Sequence, residues 1–174
     1  VGDIPLPGAA VHLAFGLSAV AHGDITGMDL SAVRAAPGVV AVLTAGDFAE
    51  VPDCSPSAHD EPLLATGRVH YVGQPVFLVV ADSHLAARRA ARLGRVAYAE
   101  RAALLTVDDA LAAGSRFEAG PVVWSRGDAA AGIAGARHVV EGRMEVGGQE
   151  HFYLEGQVAA AVPLEAGDML VHSS

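Results

Sequence analysis

Near its C-terminal end the chain carries Gly147-Gly148-Gln149-Glu150-His151-Phe152-Tyr153-Leu154-Glu155, in which an amide, a carboxylate and an imidazole follow two glycines without a break. A carboxamide can donate a hydrogen bond to a ligand oxygen without adding charge, while a carboxylate and an imidazole can exchange protons or bind a metal. Adjacent glycines let the backbone approach another group closely. Bulky apolar residues come next, so the backbone is expected to enter a packed interior with its polar groups at the rim. One reading is a strand start whose polar side chains satisfy buried backbone groups. A second is a metal site built from Glu150, His151 and Glu155, which is weaker because no second His or Cys cluster stands nearby at ligand spacing. If the segment is a strand, Gln149 and Glu150 face opposite ways and His151 shares the side of Gln149.

Other reactive side chains are less organised. His59-Asp60-Glu61 imitates a metal cluster but sits in a run rich in Pro, Ser and Asp, which reads as a solvated loop. Cys54 is the only cysteine. An internal disulfide is therefore impossible, and thiolates of this chain alone cannot hold an iron–sulfur cluster. His70 reads as a satisfied histidine, and Gln74, between Gly73 and Pro75, as a structural turn residue. All eleven basic residues are Arg, so a P-loop lysine, a Schiff-base lysine and a Ser–Lys dyad are excluded. A hydrolase using His151 with a serine lacks a Gly-x-Ser-x-Gly elbow.

The elements that must position these groups follow from 174 residues, of which 52% are hydrophobic and 18% charged, a globular composition able to bury a core. A formal net charge of −9 argues against a nucleic-acid partner, which needs a basic face. No apolar run approaches the roughly 18 residues of a membrane span. No signal peptide opens the chain, and a start at Val1 in place of Met suggests a missing beginning. Strands are expected near 10–17, 23–30, 39–43, 76–81, 96–99, 122–124, 138–146, 158–163 and 169–172. Asp29 or Ser31 is expected to cap a helix over 32–36 that Pro37-Gly38 stops. Ser83 is expected to cap a helix to about Arg95, with Arg88, Arg92 and Arg95 on a solvated face. Thr106-x-x-Asp109 has capping-box spacing for a helix over 108–113, and Asp128 is placed to cap 129–134. About eight strands against four short helices imply an α+β fold with helices on mixed sheets.

The run GGQEHFYLEGQ resembles the segment usually read as GGQEHFYLET in the large, molybdenum-binding part of the xanthine dehydrogenase and aldehyde oxidase family. Gly156-Gln157 departs from the usual residues beyond the polar cluster. His70-Tyr-Val-Gly-Gln-Pro-Val76 resembles that family's V-x-Y-V-G-Q-P-V, and Asp29, Ala32, Pro37-Gly38-Val39, Val42, Thr44 and Asp47 suit its D-x-x-A-x-x-x-P-G-V-x-x-V-x-T-x-x-D form. The resemblance implies an α/β-hammerhead domain over 1–135 and, over 136–174, the first strands of a truncated molybdopterin-binding domain. Gln149 would then lie beside the molybdenum and donate a hydrogen bond to an oxygen on it.

The same resemblance implies oxidative hydroxylation of a purine or aldehyde with water as the oxygen source. It implies a molybdenum–molybdopterin cofactor, with 2Fe-2S clusters and FAD on other domains or subunits. The expected partners are the remainder of the large subunit and the iron–sulfur/FAD portion, with no nucleic acid, no membrane and a cytoplasmic location. The family's G-G-G-F-G-G-K run and its later catalytic glutamates have no counterpart here. The isolated chain is therefore expected to be inactive, the alternative being a non-catalytic scaffold or subunit-interaction domain.

Overall fold

A computed structural model describes residues 2–56, 58–116, 120–152, 154 and 156–174. It confirms an α+β fold. Among the described residues the order is β1 (His12–Leu17), β2 (Gly23–Asp29), α1 (Ser31–Arg34), β3 (Val39–Thr44), β4 (Arg68–Val69), β5 (Pro75–Ala81), α2 (His84–Ala91), β6 (Arg95–Glu100), α3 (Val107–Ala112), α4 (Ala129–Ala134), β7 (Ala159–Pro163) and β8 (Met169–Ser173). Contacts divide the chain into one unit of residues 7–115 and another of residues 1–6 with 116–174.

The first unit holds two three-stranded antiparallel sheets, ordered β1-β5-β3 and β4-β2-β6. Strand β5 is central because its sequence is apolar at nearly every position; Val76, Phe77, Leu78, Val79 and Ala81 are all buried. Helix α2 packs on β1 and β5 through Ala87 and Ala90, small side chains that permit close approach. Leu30 and Val33 bring α1 into the same core, while Ile25, Met28, Val96 and Tyr98 add partly buried surface from the second sheet.

Local capping follows the sequence. Ser83 Oγ accepts from Ala86 N at α2, Thr106 Oγ1 accepts from Asp109 N at α3, and Asp128 Oδ1 accepts from Ala131 N at α4. At α1 the expected cap is corrected: the N-cap position is Leu30, which makes no side-chain cap bond, and the Asp29 carboxylate before it accepts from both the amide and the hydroxyl of Ser31. Gly38 stops that helix region with φ +80, and its carbonyl accepts from Asp82 N at 2.9 Å.

Gln74 is a structural residue. Only 5% exposed, its Oε1 accepts from His70 N at 2.7 Å, and its carbonyl accepts from Ser18 N at 2.8 Å. This turn therefore fastens the end of β1 to the start of β5. Replacing Gln74 with leucine strands the His70 amide and is expected to cost about 1–3 kcal/mol. A urea midpoint equal to that of the parent protein would contradict that assignment.

On the second sheet, Asp24 of β2 accepts from Arg68 Nε and from Arg101 Nε, each at 2.7 Å. These bonds, that of Arg101 first and that of Arg68 second, lower the Asp24 pKa. A carboxylate with a depressed folded-state pKa contributes stability above its unfolded value, near pH 4 by the usual range of about 3.9 for Asp, and loses it as pH falls through the folded value. Asp24→Asn is accordingly expected to flatten the acid limb of a stability–pH curve and leave its shape above neutrality unchanged.

Three further expectations are corrected. Helix α2 ends at Ala91 rather than near Arg95, and Arg95 already belongs to β6, so Arg88, Arg92 and Arg95 share no helical face, although all three are exposed. The stretches 122–124 and 138–146 form no strand. Their alternation is real, but a strand needs a neighbour to bond, and no described segment of this chain pairs with either. The side chains stand in the open instead, with Trp124 at 92% and Val140 at 96% exposure. In the second unit the hairpin expected near 158–172 does form, with Ala159 opposite Ser173 and Pro163 opposite Met169.

Candidate functional site

The diglycine segment is exposed from Gly147 to Phe152 and has no ladder among the described residues. A Cβ built on Gly147 or Gly148 would meet nothing within 4 Å, so the backbone is open to approach at both positions. Gln149 itself is exposed. Glu150 is turned to local use, its Oε1 accepting at 3.2 Å from the amide of Phe152, a residue with φ +54.

This geometry overturns the expectation of a packed interior just after the cluster. Phe152 is 90% exposed and Leu154 fully so. Nothing described in this chain covers them, so no buried backbone requires satisfying. The argument that strand alternation separates Gln149 from Glu150 lapses with the strand. Tyr153 and Glu155 lie outside the described residues, and with Glu155 so does the three-ligand metal reading. Among the described residues, no group of three or more His, Cys, Asp or Glu side chains is placed to hold a metal, which disposes of His59-Asp60-Glu61. Cys54 is an exposed free thiol.

A concavity of about 390 Å³ lies in the first unit, lined chiefly by Ile25, Met28, Leu30, Ala65 and Val76 with Arg34 at its edge. Its lining is apolar apart from one guanidinium and two threonines, and it contains neither a nucleophile nor a general base. Gln149 is not part of it.

The segment leaves a neutral carboxamide accessible beside unobstructed backbone. Gln149 supplies a neutral donor, the glycines supply clearance, and this part of the chain provides no competing partner among the described residues. Beside it, Glu150 bonds its own turn.

Two family models match the chain. Residues 1–102 match the aldehyde oxidase and xanthine dehydrogenase a/b hammerhead domain, and residues 114–174 match the molybdopterin cofactor-binding domain. A xanthine dehydrogenase of Drosophila subobscura is 38% identical over 96% of this chain and 13% of its own length. An aldehyde oxidase 1 of Cavia porcellus is 41% identical over 92% of this chain and 12% of its own. Among solved structures, the aldehyde oxidoreductase of Desulfovibrio gigas superposes with a TM-score of 0.80 at 30% identity, covering 97% of this chain and 20% of that one. Quinoline 2-oxidoreductase of Pseudomonas putida 86 gives 0.83 at 29% identity, over 99% and 24%. The chain spans about an eighth of the length of these curated relatives.

Proposed function

Because the chain belongs to the aldehyde oxidase and xanthine dehydrogenase family, we propose that it forms part of the molybdenum-binding portion of an enzyme that hydroxylates purines or aldehydes with water as the oxygen source. The observation that carries this reading is the unobstructed Gly147-Gly148 backbone leading to an exposed Gln149, within the stretch that matches the molybdopterin cofactor-binding domain. A molybdenum–molybdopterin group bound there would supply the two-electron oxidation, and 2Fe-2S clusters and FAD on other domains or subunits would accept the electrons.

The work of this chain is positional. Gln149 would help hold the cofactor by donating an N–H to one of its oxygens, which would polarise that oxygen without adding charge. Gly147 and Gly148 keep the backbone free of side chains on that approach. No residue here is assigned as the base, and the isolated chain is inactive in this reading. The proposed partners are the remainder of a large subunit and an iron–sulfur/FAD portion, in a cytoplasmic enzyme.

Exposed apolar side chains support the partner assignment. Val122, Val123 and Trp124 are 79–92% exposed, and Val140, Met144 and Val146 are 80–96% exposed. Contiguous apolar exposure on this scale marks surface that another segment covers. The same surface also favours the second reading, in which the chain serves chiefly as a packing scaffold between subunits.

The test compares the 174-residue chain with the assembled, molybdenum-loaded protein that contains it, using a purine and an aldehyde in ¹⁸O-labelled water. Turnover with label in the product from the assembly, and none from the chain alone, is the expected result. No turnover from a fully loaded assembly on either substrate class would leave the scaffold reading in place.

A further inference from the structure

Strand pairing brings together two histidines that are distant in sequence. Gly23 lies opposite Val69 and Asp24 opposite Arg68 in the β2–β4 ladder. Continuing that antiparallel register by one step sets His22 beside His70, and their ring centroids are 5.7 Å apart with planes 24° from parallel. His22 is half-buried and His70 exposed.

The neutral tautomer of His22 is set by its neighbour. Its Nδ1 lies 2.8 Å from the carbonyl oxygen of Ala102. A carbonyl only accepts, so Nδ1 carries the hydrogen, and in the neutral ring Nε2 presents a lone pair. A backbone carbonyl that holds one ring nitrogen as donor and leaves the other free is the arrangement that orients imidazole ligands of metals.

We propose that His22 and His70 form a two-imidazole site for a borderline divalent cation such as Zn²⁺, completed by water. Two nitrogens each about 2.1 Å from one ion place their ring centres about 5–6 Å apart, which spans the observed separation. The His70 ring must turn about its side-chain torsions to aim its nitrogen, and as an exposed side chain it is free to do so. The binding is weak, since only two protein ligands contribute. The guanidiniums of Arg68 and Arg101 on the same sheet face also oppose a cation, although both are engaged by Asp24.

A second imidazole pair supplies the control. His12 and His84 have centroids 6.4 Å apart and planes tilted by 52°. The probe is Zn²⁺ alone, added to the chelator-treated protein and followed by calorimetry, with His22→Asn, His70→Asn and His84→Asn each compared with the parent. The expected result is that His70→Asn and His22→Asn each weaken one binding event at least tenfold while His84→Asn leaves it unchanged. Because His70 is exposed, its variant reads the site even if His22→Asn perturbs folding. Unchanged Zn²⁺ affinity in a folded His70→Asn protein, or loss of the event in His84→Asn instead, would overturn the assignment.

Discussion

Gln149→Ala in the assembled, molybdenum-loaded protein is expected to lower kcat about 10²–10³-fold, the usual consequence of removing one preorganised donor from an oxygen that gains charge during reaction. The fall should appear in kcat and kcat/KM together, because an interaction made mainly in the transition state leaves ground-state binding little changed. Metal analysis decides what the loss means: the molybdenum content should equal that of the parent. Gln149→Glu should be at least as damaging, since it replaces a neutral donor with a negatively charged acceptor of nearly the same size. Full turnover by Gln149→Ala at normal molybdenum content would remove Gln149 from the mechanism. A loss of molybdenum instead would make the residue a holder of the cofactor rather than a contributor to the reaction.

The physical case for so large an effect from a residue that stands exposed in this chain rests on what surrounds it. A carboxamide in water exchanges one hydrogen bond for another and contributes little. Placed against a cofactor and shut off from solvent by neighbouring protein, the same donor acts at low local dielectric, where its electrostatic effect is several times greater. The open diglycine and the exposed Phe152 and Leu154 beside it are what such a covered contact would look like with its cover removed.

Legibility from sequence tracked the range of the interactions involved. Ser83, Thr106 and Asp128 were readable as caps because each bonds an amide only three residues on. Strand β5 was readable because its continuous apolar run matches burial at the centre of a sheet. The family was readable in GGQEHFY and YVGQP. By contrast, the alternation over 138–146 could not reveal that no described partner strand exists, since pairing is a property of two segments. The two-residue β4 was missed for the same reason, and with it the meeting of His22 and His70. Helix α2 ends at Ala91, short of the reach its residues suggest, and beyond it a Cβ on Gly94 would collide with the ring of Phe77.

That contact makes the core prediction the largest for stability. Phe77, 2% exposed, projects from the central strand into a slot whose walls lack side chains at two points. A Cβ built on Gly16 of β1 would lie 2.0 Å from two ring carbons, and one built on Gly94 would lie 2.4 Å from Phe77 Cζ. Neither distance is tolerable, so the ring or the backbone must move. Gly16→Ala and Gly94→Ala are each expected to destabilise the protein by about 1–3 kcal/mol, the range for overpacking a close-packed interior. Phe77→Ala, which empties the slot, is expected to cost about 3–5 kcal/mol. If the glycines are there to admit the ring, the effects must couple: Gly16→Ala combined with Phe77→Leu should cost less than the sum of the two single changes. Urea unfolding of the four proteins measures this. Strict additivity, or a Gly16→Ala midpoint equal to that of the parent, would show that the ring does not depend on the missing side chain.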